Sequence, residues 1–331
     1  MKSTSVAALL TFSSITALAQ DWSKNVSASA QCIELNQIAL TQAANGHVVE
    51  AETSLALATA AGHEGAQGPC IGYVLNNMAA LMSISGRLAE AERLAEQSVR
   101  VLAKFSLPTD RMLLRPLQIL AAVRLESGKT ARAREAVRRI QLIRINGPDD
   151  SALVHGIAGT LLQIEGRNSE AEAEYLAAFR AWEEAGRSDS ADAAGILCSL
   201  GSLYLEEQRL DEARRVLDNA LVIYSRAKDV VPMDRIKFLD LRGVLHSRLG
   251  DWGLAQDDLR DALSMVDREP FVDPLVLRSI LNNYSRVLRK THHGRDARSI
   301  EARAAALPPD HTTAAVVDLT ELLVRARRAK K

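Results

Sequence analysis

Apolar residues recur at intervals of three and four over short stretches, and each stretch is cut by a glycine or polar break before a second stripe of the same period begins. In "LNNMAALMSISGRLAEAERLAEQSVRVL" the first stripe is Leu75, Met78, Ala79 and Met82. Gly86 interrupts it, and Leu88, Ala91, Leu94, Ala95, Ser98 and Val101 form the second. That spacing predicts helix, tight turn, helix. The pattern returns seven times. A small residue stands at Ala39, Ala79, Ala121, Gly159, Gly201, Gly243 and Ser285, and an alanine follows each at Ala51, Ala91, Ala133, Ala171, Ala213, Ala255 and Ala297. Both series advance by 40, 42, 38, 42, 42 and 42 residues. A third runs through Ala58, Ser98, Ala178, Ala220, Ala262 and Ala304, broken by Ile140 in the third copy.

Small side chains at fixed register let two helix backbones approach closely where they cross. The turn position is Gly46, Gly86, Gly128, Gly166 and Gly250, with Gln208 and His292 in the fifth and seventh copies. Glycine there supplies the positive φ that ends a helix, so Gln208 and His292 are expected to carry strain. The prolines of "NGPDDS", "VVPMD" and "EPFVDP" fall between copies, where a new helix begins. Asp110 or Thr109 is placed to cap the first helix of copy three, and Pro116 lies inside it, so that helix should start late or kink.

The small–x6–Gly–x4–Ala–x6–Ala pattern resembles the tetratricopeptide repeat. The extra length, in "LNNMAALMSISGRLAEAE" and "LNNYSRVLRKTHHGRDARSIEARA", resembles the kinesin-light-chain type, with a period near 42 residues. The resemblance covers roughly residues 28–306. It implies an all-α, right-handed α-solenoid of about seven helix-turn-helix repeats over 31–306, whose first helices line a concave groove that holds a peptide or protein partner. By register the groove then includes Tyr73, Asn76 and Asn77 in the second repeat, and Asn282, Asn283, Arg286, Arg289 and Lys290 in the seventh. Asparagine suits a peptide main chain because its amide both donates and accepts. It equally suits bridging between neighbouring helices, and the two readings stand side by side. Arg286, Arg289 and Lys290, with Arg295 and Arg298, fit either an acidic peptide or a solvated basic face.

Composition adds an address and removes some functions. Formal charge is zero, with 41 Lys and Arg against 41 Asp and Glu, so no global field favours nucleic acid or an anionic membrane. Residues 1–19 read as a signal peptide: Lys2, an apolar run from Val6 to Leu18, and a small-x-small cleavage site at Ala17–Ala19. The expectation is an exported, periplasmic protein without stable membrane insertion. Residues 20–30 read as a loop, and 307–331 as a capping segment with a basic tail. Export makes a disulfide feasible. Cys32 and Cys70 open first helices in successive repeats, but stacked helices about 8–10 Å apart exceed the usual Cα reach of a disulfide; a bond with local adjustment and two buried thiols both fit. No His-Glu-x-x-His, Gly-x-Ser-x-Gly, Walker loop or Cys-x-x-Cys occurs; His292 and His293 are adjacent, not at the i, i+4 spacing of a zinc pair, and the other five histidines are scattered. The reading is a non-enzymatic scaffold without cofactor or metal. The alternatives are a regulatory or assembly subunit of an envelope complex, or a solenoid that binds a small molecule or glycan.

Overall fold

The computed structural model describes residues 30–307, apart from 45–46, 65–68, 85, 228–229, 231, 270–271 and 273. The signal segment, residues 20–29, Gly46 and the segment after Leu307 lie outside the described residues. Fourteen α-helices follow one another and no strand occurs among the described residues. The first hairpin is α1 (Ala30–Ala44) and α2 (Val48–Glu64). Next come α3 (Cys70–Ile84) with α4 (Leu88–Leu102), α5 (Leu114–Glu126) with α6 (Thr130–Gln141), and α7 (Pro148–Ile164) with α8 (Asn168–Glu184). The array ends with α9 (Ala191–Glu206) and α10 (Leu210–Arg226), α11 (Pro232–Leu249) and α12 (Trp252–Val266), and α13 (Pro274–Lys290) and α14 (Gly294–Ala305). Helices pack most heavily within a hairpin, then onto the next hairpin. The fold is a helical-repeat solenoid.

The small-residue series sit at the helix crossings. All seven alanines from Ala51 to Ala297 are completely buried. Where the first position is glycine, a large side chain fills the space. A Cβ on Gly159 would stand 2.7 Å from the ring of Tyr175, and one on Gly201 or Gly243 2.7 Å from Leu217 or Leu259. The second and third repeats, with Ala79 and Ala121, carry Ala95 and Val137 at that partner position. Close approach is set by the sum of two side chains, divided as glycine with a large partner in the fourth to sixth repeats and as alanine with a smaller one in the second and third.

Every hairpin turn is closed alike, by a backbone N–H bonded to the carbonyl five residues earlier, from His47 to Gln42 through to His293 to Leu288. This closure requires a left-handed residue just past the helix end. Gly86, Gly128, Gly166 and Gly250 supply it, and Gln208 and His292 adopt it too, each at φ 63°. Pro148, Pro232 and Pro274 each open a first helix. Before Pro116, a 3-10 turn at Arg111–Leu113 precedes α5, and the Met112 N–H donates to Asp110 Oδ1 at 2.9 Å. The late start places Pro116 in the first turn, where its missing N–H costs nothing.

Cys32 and Cys70 are joined by a disulfide between α1 and α3, with Cα atoms 6.5 Å apart. That is closer than generic helix stacking suggests, and within the usual Cα reach of a disulfide. Cys198 is a buried free thiol.

Candidate functional site: the first-helix face

Successive first helices touch along the whole array, whereas successive second helices make no comparable contact. The first helices are therefore the inner layer of the curve. Their seams carry polar side chains in a repeating register. Asn77 Nδ2 donates to Asn36 Oδ1 at 2.8 Å, from α3 to α1. Asn283 Nδ2 donates to Asp240 Oδ1 at 2.7 Å, from α13 to α11, and Ser279 Oγ donates to Asp240 Oδ2 at 2.9 Å. Asn77 and Asn283 hold one register position, and Asn36 and Asp240 hold the position one residue earlier in the preceding repeat. Further along the same helices, Ser83 donates to Glu126 at 3.3 Å and Gln163 to Glu206 at 3.2 Å.

These bonds separate the sequence candidates. Asn77 and Asn283 are buried in the seams, joining neighbouring helices. Asn76 is also buried, its amide donating to Asn77 Oδ1 at 3.3 Å. Its own Oδ1 accepts no hydrogen bond, because the next repeat has Ile119 at the donor register. Tyr73 is mostly buried, and burial first, then Asp110, raises its hydroxyl well above the ordinary value. Asn282 is exposed on α13.

The structure gathers other residues instead. A cleft of about 760 Å³ lies over the last three repeats, lined by Gln208, Val244, Ser247, Arg248, Trp252, Asn283, Arg286, Val287, Arg289 and Lys290. Its lining contains no carboxylate. Among the described residues no carboxylate lies within ion-pairing distance of Arg248, Arg286 or Lys290. Arg248 donates to the Leu205 carbonyl at 3.3 Å, and Arg286 to the Asn282 carbonyl at 3.3 Å and to Asn283 Oδ1. Partial burial, and then the neighbouring charge of Arg286, lowers the Arg248 guanidinium from its ordinary value. Two cations thus share a partly desolvated lining with Val244, Val287 and Trp252. Arg289 is different, because Glu301 on α14 engages it in two hydrogen bonds, at 2.7 and 2.6 Å. Arg295 and Arg298 lie exposed on α14, outside the cleft lining.

Sequence reasoning missed Arg248, Trp252 and Gln208. The signal for Arg248 was present, since it occupies in repeat six the register of Lys290 in repeat seven. Gln208 is more telling. At a turn where most repeats have glycine, a left-handed glutamine presents a side chain to the cleft. Arg115, on α5, was missed as well. Burial lowers its guanidinium to about 10, against the pull of Asp192 and Asp150, and it reaches Gln118 Oε1 at 3.4 Å. No group of His, Cys, Asp and Glu suited to a metal ion occurs among the described residues.

No protein-family model matches the chain, and no curated protein matches it. Solved structures do. A Rap protein complexed with competence and sporulation factor superposes with a TM-score of 0.64 at 14% identity, covering 94% of this chain and 81% of that one. The apo form of RapI gives 0.57 at 12% identity, covering 90% and 97%. The APC/C hetero-tetramer Cut9–Hcn1 gives 0.57 at 14% identity, covering 95% of this chain and 52% of the other. At such identities the likeness is one of fold. Fold and repeat together define a helical-repeat solenoid of the tetratricopeptide type.

Proposed function

We propose that this protein is a non-enzymatic scaffold that holds an acidic peptide segment of a partner protein on its concave face, with Arg248 and Arg286 as the principal anion-binding groups. The observation that carries the reading is the cleft itself: concave, partly apolar, and lined by cations without a carboxylate. Charge-assisted hydrogen bonds in a desolvated wall are among the stronger polar contacts, and Trp252 and Val287 offer apolar surface to the intervening side chains. The bound factor in the Rap-protein complex supports ligand capture by this kind of fold. An exported, periplasmic location completes the proposal and rests on residues 1–19.

An array of immobilised peptides of acidic, neutral and basic composition tests the ligand class. Acidic peptides should be retained, and Arg248→Glu with Arg286→Glu should lower their affinity by at least about tenfold, since each charged hydrogen bond contributes about 1.5–3 kcal/mol. Retention without regard to peptide charge refutes the reading. For location, N-terminal sequencing of the chain from fractionated cells should begin at Gln20; recovery of an intact Met1 in the cytoplasmic fraction refutes export.

A further inference from the structure

Ten large apolar side chains are exposed among the described residues, and four of them cluster. Phe105 (43%) and Leu107 (69%) lie in the connection after α4, and Leu142 (67%) and Ile145 (45%) in the connection after α6. The two connections are adjacent, joined by a hydrogen bond from the Arg144 N–H to the Thr109 carbonyl at 3.0 Å. The cluster falls at the one place where the repeat period shrinks, to 38 residues. There α6 ends at Gln141, leaving "LIRING" as irregular chain. The connection after α8, "AGRSDS", is polar by contrast.

The surroundings are basic. Lys104 and Arg144 are exposed within the same two connections, and Arg100, Arg138 and Arg139 lie in the final turns of α4 and α6. Three neighbouring carboxylates are engaged elsewhere, Asp110 capping Met112, Asp149 pairing with Arg187 at 2.7 Å and Asp150 with Arg111 at 2.6 Å, while Glu135 stands 3.9 Å from Arg138. An aromatic and three aliphatic side chains at loop tips, ringed by cations, match a surface with negative headgroups over an apolar interior. No helix among the described residues is long and apolar enough to cross a membrane.

We infer that the connections after α4 and α6 form a docking surface for an anionic lipid bilayer. It lies on the edge formed by the inter-repeat connections, so a chain resting on a bilayer this way keeps its first-helix face open.

Co-sedimentation with vesicles of phosphatidylcholine, with and without phosphatidylglycerol, is the test. The purified chain should bind the phosphatidylglycerol vesicles and lose most of that binding as salt rises from about 0.1 M to about 1 M. Phe105→Asp with Leu142→Asp should lower binding at least about tenfold. Lys104→Glu with Arg144→Glu should abolish the preference for phosphatidylglycerol. Leu176→Asp, at an isolated exposed position on α8, should change nothing; circular dichroism of each variant should match the parent. The inference is overturned if the chain stays in the supernatant with both vesicles, if the loop variants bind like the parent, or if those variants abolish capture of a purified protein partner while leaving vesicle binding intact.

Discussion

Gly159→Ala sets two effects of opposite sign against each other. In a helix interior, alanine is favoured over glycine by about 1 kcal/mol, and on propensity alone the substitution stabilises α7. The crossing opposes it. The added Cβ would lie 2.7 Å from both Cδ1 and Cε1 of Tyr175, about 1 Å inside the optimal carbon–carbon separation. Tyr175 is completely buried, and its hydroxyl donates to Gln163 Oε1 at 2.8 Å. The ring is therefore held at both ends and swings away only by breaking a buried hydrogen bond. Overpacking costs about 1–3 kcal/mol, and a disturbed buried hydrogen bond adds about 1 kcal/mol. The net expectation is a loss of about 1–3 kcal/mol. Equilibrium urea unfolding followed by helical circular dichroism measures it, with hydrogen exchange confirming that α7 and α8 loosen first. Tyr175→Val in the same background, reproducing the Ala121 and Val137 combination, should cost less than the sum of the two single changes by about 1 kcal/mol or more. Gly253→Ala, where the new Cβ meets nothing within 4 Å, is the control and should be neutral or slightly stabilising. A Gly159→Ala protein as stable as the parent refutes the close-approach argument.

Three further outcomes follow from the geometry. His292→Gly should stabilise by about 0.5 kcal/mol, the relief of a left-handed residue exceeding the added freedom of the unfolded chain; Gln208→Gly should do the same while weakening acidic-peptide binding, and a lowered urea midpoint in both contradicts the strain assigned to φ 63°. Cys32→Ala with Cys70→Ala opens a link between residues separated by 38 positions and should cost about 4 kcal/mol by loop entropy, read as increased hydrogen exchange across α1–α3; unchanged protection counts against it. Burial raises the Asp258 carboxyl, but hydrogen bonds from His246 and Arg242 outweigh this and leave it below its ordinary value. Its contribution is therefore complete above the unfolded carboxylate pKa and lost as pH falls through the lower folded value. Asp258→Asn should flatten the acid limb of a stability-against-pH curve, and an unaltered limb rejects the assignment.

The repeat was legible because packing between helices imposes one size constraint at a fixed interval; the completely buried series from Ala51 to Ala297 is that constraint made visible. Pro116 was legible for a related reason, since a missing N–H has few places to go. The groove residues were not resolved. The register that places Asn77 on the inner face also places it at the seam with α1, and only its partner, Asn36 in the preceding repeat, decides which way the amide turns. Asn283 is decided likewise by Asp240. The cleft was half visible, through Arg286 and Lys290. Arg248 and Gln208 come from other repeats, so their meeting depends on the curvature of the stack, which no single repeat encodes.

The matching of Gly159 with Tyr175, Gly201 with Leu217, and Gly243 with Leu259 is settled inside a hairpin, on either side of its tight turn. A gene rearrangement that cuts in the connections between hairpins keeps each large residue with the glycine that accommodates it. A cut at the tight turn would divorce them, setting Tyr175 against alanine or leaving glycine beside a gap. The heritable module of this solenoid is therefore the intact pair of helices, and lengthening or shortening the array by whole pairs is the evolutionary route its interior leaves open.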